Sequence, residues 1–356
     1  MDKQFYADIA RRAHAFPLPP IGFEPLSATN PQLEKHGLLA RPDEEAEPDF
    51  FLLWKTMLSS PLQVIQPEFP KRAGLFKRVF DLHRHAPFGH RRRLTRTGGV
   101  APPVTRGYRH REDSRNWSGA YITPVRPNRF VHVTGGWTVP EPAVPTVLPN
   151  AATGNDEFRS STWIGLDGHR VYPHSSLPQI GTSQFIRRAN GADTIQTGAW
   201  WQWWKKGDPN SAPVEIVNFP VSVGDKILAS LKVQASGDVH FHLKNQTSGL
   251  FTTFVVIAPG TIVPLGSTAE WIMERPTELH STHVYPLPRC SDVIFNHCMA
   301  KSSVSIGAAT TMQKLDNPRL IRMYEIFESP HRIAFVSQAQ KNGRSSVRIF
   351  YREAGT

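Results

Sequence analysis

Hydrolysis of a peptide or ester needs a nucleophile or activated water, a proton shuttle, and a donor for the developing negative charge. Several usual solutions are absent from this chain. There is no His-Glu-x-x-His pair for zinc, no Gly-x-Ser-x-Gly elbow, no Asp-Thr-Gly or Asp-Ser-Gly, and no phosphate-cradling glycine loop. His297 precedes Cys298, but neighbours on a strand point to opposite faces, so they are not a nucleophile and its base. His240 and His242 share a strand face, and His280 lies near His283. Zinc takes three or four ligands in a defined geometry, and these spacings do not supply them. Neither a metal nor another cofactor is expected. What remains is carboxylates and amides. Glu270 and Glu274 are four apart in a β-prone run and can share a face. Gln179, Gln184, Gln196 and Gln202 lie before or within the dense aromatic cluster Trp200–Trp204.

These residues belong to an ordered set of segments. They run Asn116-Trp117-Ser118-Gly119-Ala120, Gly136-Trp137-Thr138-Val139-Pro140, Ser161-Thr162-Trp163-Ile164-Gly165-Leu166-Asp167-Gly168 and Leu177-Pro178-Gln179-Ile180-Gly181-Thr182. Then come Ala199-Trp200-Trp201-Gln202-Trp203-Trp204, Val223-Gly224-Asp225, Asn245-Gln246-Thr247-Ser248-Gly249, Ala269-Glu270-Trp271-Ile272-Met273-Glu274 and Ser291-Asp292-Val293-Ile294-Phe295. In this order they resemble the glutamic peptidase family, the eqolisins (peptidase G1, formerly A4), over about residues 114–350. The resemblance implies a concanavalin A-like sandwich of two antiparallel sheets and acid endopeptidase activity. It implies a Gln–Glu dyad, whose members fall on Gln179 and Glu270, and a polypeptide substrate. It also implies a secreted or cell-envelope protein, although no signal peptide is visible at the start.

Such a dyad is chemically sound. A glutamate with pKa near 4 can take a proton from water in acid. Two carboxylates would have to share a proton, whereas a glutamine amide does not titrate and can donate to the scissile oxygen. After attack, protonated Glu270 can pass its proton to the leaving amine. Gln196-Thr197-Gly198 imitates the glutamine motif but abuts the aromatic cluster; Gln184 is a lesser rival, and Glu274 is the rival carboxylate. Trp163, Asp167, Gln202 and Trp203 are the expected supporting or substrate-binding residues. Core and turn roles are the alternative for Trp163 and Asp167. The family often has Glu in the middle of the aromatic cluster, where this chain has Gln202, and Thr after the dyad glutamine, where it has Ile180. The amide at 202 cannot titrate, which leaves a catalytically inactive, peptide- or glycan-binding sandwich as the rival reading.

The elements that must position these residues are short. Residues 116–356 hold β-prone runs such as Trp117–Ile122, Lys226–Val233 and Leu250–Val256, separated by Gly, Asp, Asn and Pro groups, which indicates an all-β sandwich or barrel. Proline and glycine number 31 and 25 in 356 residues, which favours turns over long helices. No apolar run is long enough to span a membrane, and the expected protein is a monomer. Residues 1–113 read as a mostly irregular extension with one short helix at Phe50–Met57, and 114–356 as the peptidase domain. Residues 1–70 carry six Lys/Arg against ten Asp/Glu, residues 71–115 thirteen against three, and the remainder 22 against 17. Most of the net charge of +11 thus sits in one basic stretch. That stretch reads as a pro-segment (the resemblance implies basic ones that cover the cleft and are removed in acid), as a disordered tail, or as a nucleic-acid contact; the last lacks a recognition fold. Asp43, Glu44, Glu45, Glu47 and Asp49 read as solvated loop. If Ser291–Met299 is one extended strand, Cys290 and Cys298 stand roughly 26 Å apart, and they are expected as free thiols.

Overall fold

The computed structural model describes residues 11–70, 83–84, 111–148, 155–169, 176–205, 212–258, 264–278, 283–328 and 331–353. In chain order its N-terminal elements are β1 (Ala13–Ala15), α1 (Asn30–Lys35), α2 (Pro48–Leu58), β2 (Gln63–Ile65), β3 (His83–Arg84) and β4 (Arg111–Ser114). The strands β5 (Trp117–Ile122), β6 (Arg129–Thr138), β7 (Asn155–Leu166), β8 (Ser176–Ala189) and β9 (Ala192–Lys205) follow. Next are β10 (Lys226–Val233), β11 (Val239–Asn245), β12 (Leu250–Val256), β13 (Ala269–Glu274) and β14 (Thr277–Glu278). The last are β15 (Val293–Ser303), β16 (Arg319–Glu328), β17 (His331–Lys341) and β18 (Val347–Tyr351).

These strands build a sandwich of two largely antiparallel sheets. One, the site sheet, runs β9–β8–β7–β13–β5–β16–β17–β18. The other, the outer sheet, runs β1–β12–β11–β10–β6–β15. Strand β15 belongs to both: Val293–Phe295 pair with β18, and the rest pairs with β6 after a register shift between Asn296 and Met299. His297 takes a left-handed φ of 53° at that corner, where a bulge turns the strand from one sheet to the other. Cys290 and Cys298 are free thiols, Cys298 in the core and Cys290 half-buried.

Strand alternation sends one side of each sheet to a shared core. From the site sheet come Ile164, Ile180, Trp201, Trp203 and Trp271; from the outer sheet come Val133, Leu231, Phe241 and Phe254. Trp201 packs with its ring centroid 6.0 Å from Phe241 and 5.7 Å from Phe254. Two of the buried indoles find acceptors: Trp271 Nε1 donates to Thr134 O at 2.7 Å and Trp137 Nε1 to Thr182 Oγ1 at 3.0 Å.

The N-terminal residues are more firmly placed than their composition suggests. Helix α2 presents Phe50, Leu53, Trp54 and Met57 to Leu228, Phe251 and Met299 on the far side of the outer sheet. β1 adds an antiparallel strand to β12, and β2 adds a parallel one. The acidic loop is not wholly solvated, because Glu47 accepts from Lys301 Nζ at 2.6 Å and Asp49 pairs with Lys314. Most of the basic stretch, Arg91–Arg93 included, lies outside the described residues. Its short β3 pairs with β14, immediately after the strand that carries Glu270. No helix among the described residues is long and apolar enough to cross a membrane.

Candidate active site

Register puts the candidate residues in one row. Across the site sheet, Gln202 of β9 stands opposite Gln179 of β8, which stands opposite Gly165 of β7. Gly165 stands opposite Glu270 of β13, and Glu270 opposite Tyr121 of β5. Residues directly opposite in antiparallel strands project from the same face. Gln179 and Glu270, 91 residues apart in sequence, thus flank a single glycine, with Cα atoms about 10 Å apart at two strand spacings. The glycine is required there. A Cβ on Gly165 would meet Leu177 Cδ1 at 2.9 Å, Pro178 O at 3.0 Å and Trp163 at 3.1 Å.

Each dyad candidate is half bound. Gln179 Nε2 donates to Gln202 Oε1 at 2.6 Å, while Gln179 Oε1 has no hydrogen-bond partner. Glu270 Oε1 accepts from the Gly168 N–H at 3.0 Å, while Oε2 has none. Gln179, Gln202 and Glu270 are fully buried. The face is covered rather than the open cleft that a substrate would need. Burial drives the Glu270 pKa well above the usual glutamate value. The nearby Thr268 hydroxyl, which closes no hydrogen bond of normal geometry, opposes the rise; Asp167 adds to it and the Gly168 amide opposes it.

Asp167 aims that amide. It sits in the left-handed region with φ 70°, a conformation asparagine and aspartate tolerate better than most residues. Its buried carboxylate accepts from the Gly266 N–H at 3.0 Å, the Ser267 N–H at 2.6 Å and Ser267 Oγ at 2.8 Å. These bonds oppose the rise in its own pKa that burial causes. Asp167 therefore ties the end of β7 to the loop entering β13, on either side of Glu270. Gly168 has no room for a side chain: a Cβ would lie 2.5 Å from the Trp117 ring.

Trp163 lies on the same face, packed edge-on to Trp117 at 5.0 Å. Its Nε1 donates to Glu274 Oε2 at 3.0 Å, and Glu274 Oε1 accepts from Asn116 Nδ2 at 3.2 Å. The rival carboxylate thus shares the face with Glu270 but serves Trp163 and Asn116. Gln184 points to the other face and donates to Ser160 and Thr162 hydroxyls; Gln196 is exposed, six residues along β9 from Gln202. Trp203 does not join the row. Strand parity turns it into the inter-sheet core, where Nε1 donates to Ser176 Oγ at 3.1 Å. From the aromatic cluster, Trp200 and Trp204 accompany Gln202 on the row's face.

Sequence reading missed the cap over the row's far end. Tyr121, beside Glu270, donates through its hydroxyl to Glu112 Oε1 at 2.6 Å and packs on the His169 ring at 4.8 Å. His169 Nε2 lies 3.3 Å from Glu112 Oε2. Only the position of His169 after Asp167-Gly168 could have signalled it. Among the described residues no group of three His, Cys, Asp or Glu is arranged to hold a metal ion, and His280 lies outside them.

The Peptidase A4 family model matches residues 115–328. No curated protein matches the chain significantly. Among solved structures, the chain is similar to a scytalido-glutamic peptidase with a peptide-based transition-state analogue, at 19% identity over 67% of this chain and 98% of that one, TM-score 0.48. It is also similar to SCP-B, a member of the eqolisin family, in complex with the tripeptide Ala-Ile-His, at 18% identity over 67% and 98%, TM-score 0.45. A third similar structure is aspergilloglutamic peptidase from Aspergillus niger, at 16% identity over 55% and 99%, TM-score 0.42.

Proposed function

We propose, since the chain belongs to the peptidase A4 family, that it is an acid endopeptidase in which Gln179 and Glu270 act together on one peptide bond. The observation that carries this reading is the register placing both side chains on one face around Gly165, each with an unpartnered oxygen. Ionised Glu270 takes a proton from a water that attacks the scissile carbonyl. Gln179 Nε2 carries two N–H groups; one serves Gln202 and the other donates to the developing oxyanion. Protonated Glu270 then gives its proton to the departing amine. No covalent intermediate is needed, and the amide partner leaves Glu270 free to titrate alone.

Gln202 orients Gln179 through a neutral bond, where a carboxylate would make a stronger, charge-assisted one. The reading therefore includes a weaker hold on Gln179 than the family's usual arrangement gives.

The covered face supports a second part of the proposal: residues 1–113 are a pro-segment and 114–356 the peptidase domain. Covering the row excludes substrate and, by raising the Glu270 pKa, keeps the base protonated. The sign of this linkage matters. A group whose pKa is raised in the covered state favours covering below that raised value and opposes it as pH rises through it. Glu270 therefore does not drive opening in acid; another group must.

The experiment follows the full-length chain and its Glu270→Gln variant at pH 2–5 by mass and by hydrolysis of a denatured protein. The wild type should shorten itself between about Arg91 and Arg115 and become active, while the variant stays whole. Equal trimming of both, with a chain starting near Asp113 no more active than the whole, would sink the reading.

A further inference from the structure

A second polar row lies on the outer sheet beside the N-terminal residues: His132, His240 and Lys301 are partly buried and Lys232 is exposed. Lys301 of β15 stands opposite His132 of β6, His132 opposite Lys232 of β10, and Lys232 opposite His240 of β11. His240 stands opposite Val255, and Val255 opposite His14 of β1. Five of the six residues in that row are lysines or histidines, on one face. His242 lies beside it, with ring centroids 4.0 Å from His240, and neither of its ring nitrogens has a hydrogen-bond partner. The cover is specific: Phe16 stacks on His240 at 4.8 Å, Phe50 packs on His132 at 5.2 Å, and Thr253 Oγ1, bonded to His240, donates to Gly37 O at 2.6 Å.

We propose that residues 13–65 are an acid-released anchor: they dock over this row while its imidazoles are neutral, and they leave when the imidazoles take up protons and the row becomes a line of adjacent cations. Like charges directly opposite across strands repel. The charged groups facing the three imidazoles are Lys232, Lys301 and the imidazoles themselves. From the cover come Glu47, bonded to Lys301, and Asp49, which faces His297 and pairs with Lys314. Burial, reinforced by Lys232 and by the other cations, depresses the pKa of His132 and His242 well below the usual histidine value and that of His240 to about 3.

The direction follows. A histidine held neutral when docked and near 6.5 when undocked opposes docking below 6.5, more strongly as pH falls, until its docked pKa is reached. For His240 the window is about 6.5 down to about 3. This is the opposite sign to Glu270. Lys244, buried against the carbonyls of Ser59 and Pro61 and lowered to about 8, titrates above that window. The consequence for activity rests on the pro-segment reading; the docking equilibrium does not.

Hydrogen exchange in full-length Glu270→Gln, corrected for the pH dependence of intrinsic exchange, tests this without relying on turnover. Protection of β1, β2 and α2 should fall at least tenfold between pH 6.5 and 4 while β8 and β13 stay protected. Higher salt should move the loss to lower pH by screening the row. His240→Gln should do the same, and Lys232→Gln provides an independent second variant should His240→Gln fail to dock at pH 7. Protection that persists to pH 4, that is lost together with β8, or that is lost at the wild-type pH in the variants would overturn the anchor. Trimming of Glu270→Gln, read by mass, counts against the Glu270 assignment and leaves the exchange result standing.

Discussion

The sandwich carries two polar rows, one on each sheet, built by the same antiparallel register; the first is buried and the second partly covered. The first, Gln202–Gln179–Gly165–Glu270–Tyr121, pairs amides with a carboxyl whose pKa burial raises. The second, Lys301–His132–Lys232–His240, pairs lysines with imidazoles that burial holds neutral. In both rows burial disfavours the charged form, of Glu270 in the first and of His132 and His240 in the second. Acid therefore favours the cover over the first and disfavours the cover over the second. A chain with only the first row would close more firmly as pH fell; the second supplies the opposing slope on a face remote from the chemistry.

The comparison can be broken most severely at Gln179. Replacing it with alanine removes the proposed oxyanion donor, and kcat should fall by about 10²–10³ with little change in KM. The same change at Gln184, on the opposite face, should move thermal stability and leave the pH profile alone. Gly165→Ala should come next. The Leu177 Cδ1 contact at 2.9 Å can be relieved by a rotamer change, but the Pro178 O contact at 3.0 Å is relieved only by shifting β7 or β8. A cost of about 1–3 kcal/mol in unfolding free energy is expected, with kcat reduced because the dyad spacing changes. Gln202→Glu should sharpen the first row: kcat/KM should rise several-fold above about pH 4, where a glutamate is ionised, and return to the wild-type level below it. Trp203→Phe should have the smallest kinetic effect. It loses the bond to Ser176 and some core volume, costing about 1–3 kcal/mol by denaturant melting, with KM unchanged.

The first row was legible because its parts lie in compact motifs whose order survives in the sequence. Asp167-Gly168 marks the turn, and the alternation of Trp200–Trp204 marks two faces. Which face was core was not legible, since parity relative to Gln179 depends on the β8–β9 register, and Trp203 fell on the core side for that reason. Strand β8 itself was obscured by Pro178 and Gly181, both strand-breaking signals. The ladder to β7 ends at Gln179, one residue short of Pro178, so the missing N–H costs that ladder nothing. The second row was invisible for a different reason. His132, Lys232, His240 and Lys301 come from four strands with no shared motif, and only His240–His242 are neighbours in sequence. The N-terminal docking was hidden likewise, because residues 13–65 are mostly irregular and their apolar contacts are borrowed from the outer sheet.

One measurement tests the dyad most directly: the rate of denatured-protein hydrolysis at pH 2–5 by two chains beginning near Asp113, one wild type and one Glu270→Gln. Starting both chains there takes the N-terminal extension out of the comparison. With Gln179 and Glu270 as the working pair, the wild type hydrolyses the substrate and the variant loses about 10³-fold or more in kcat while remaining folded. A variant that retains activity within tenfold of the wild type would contradict the assignment and move the chemistry away from this row.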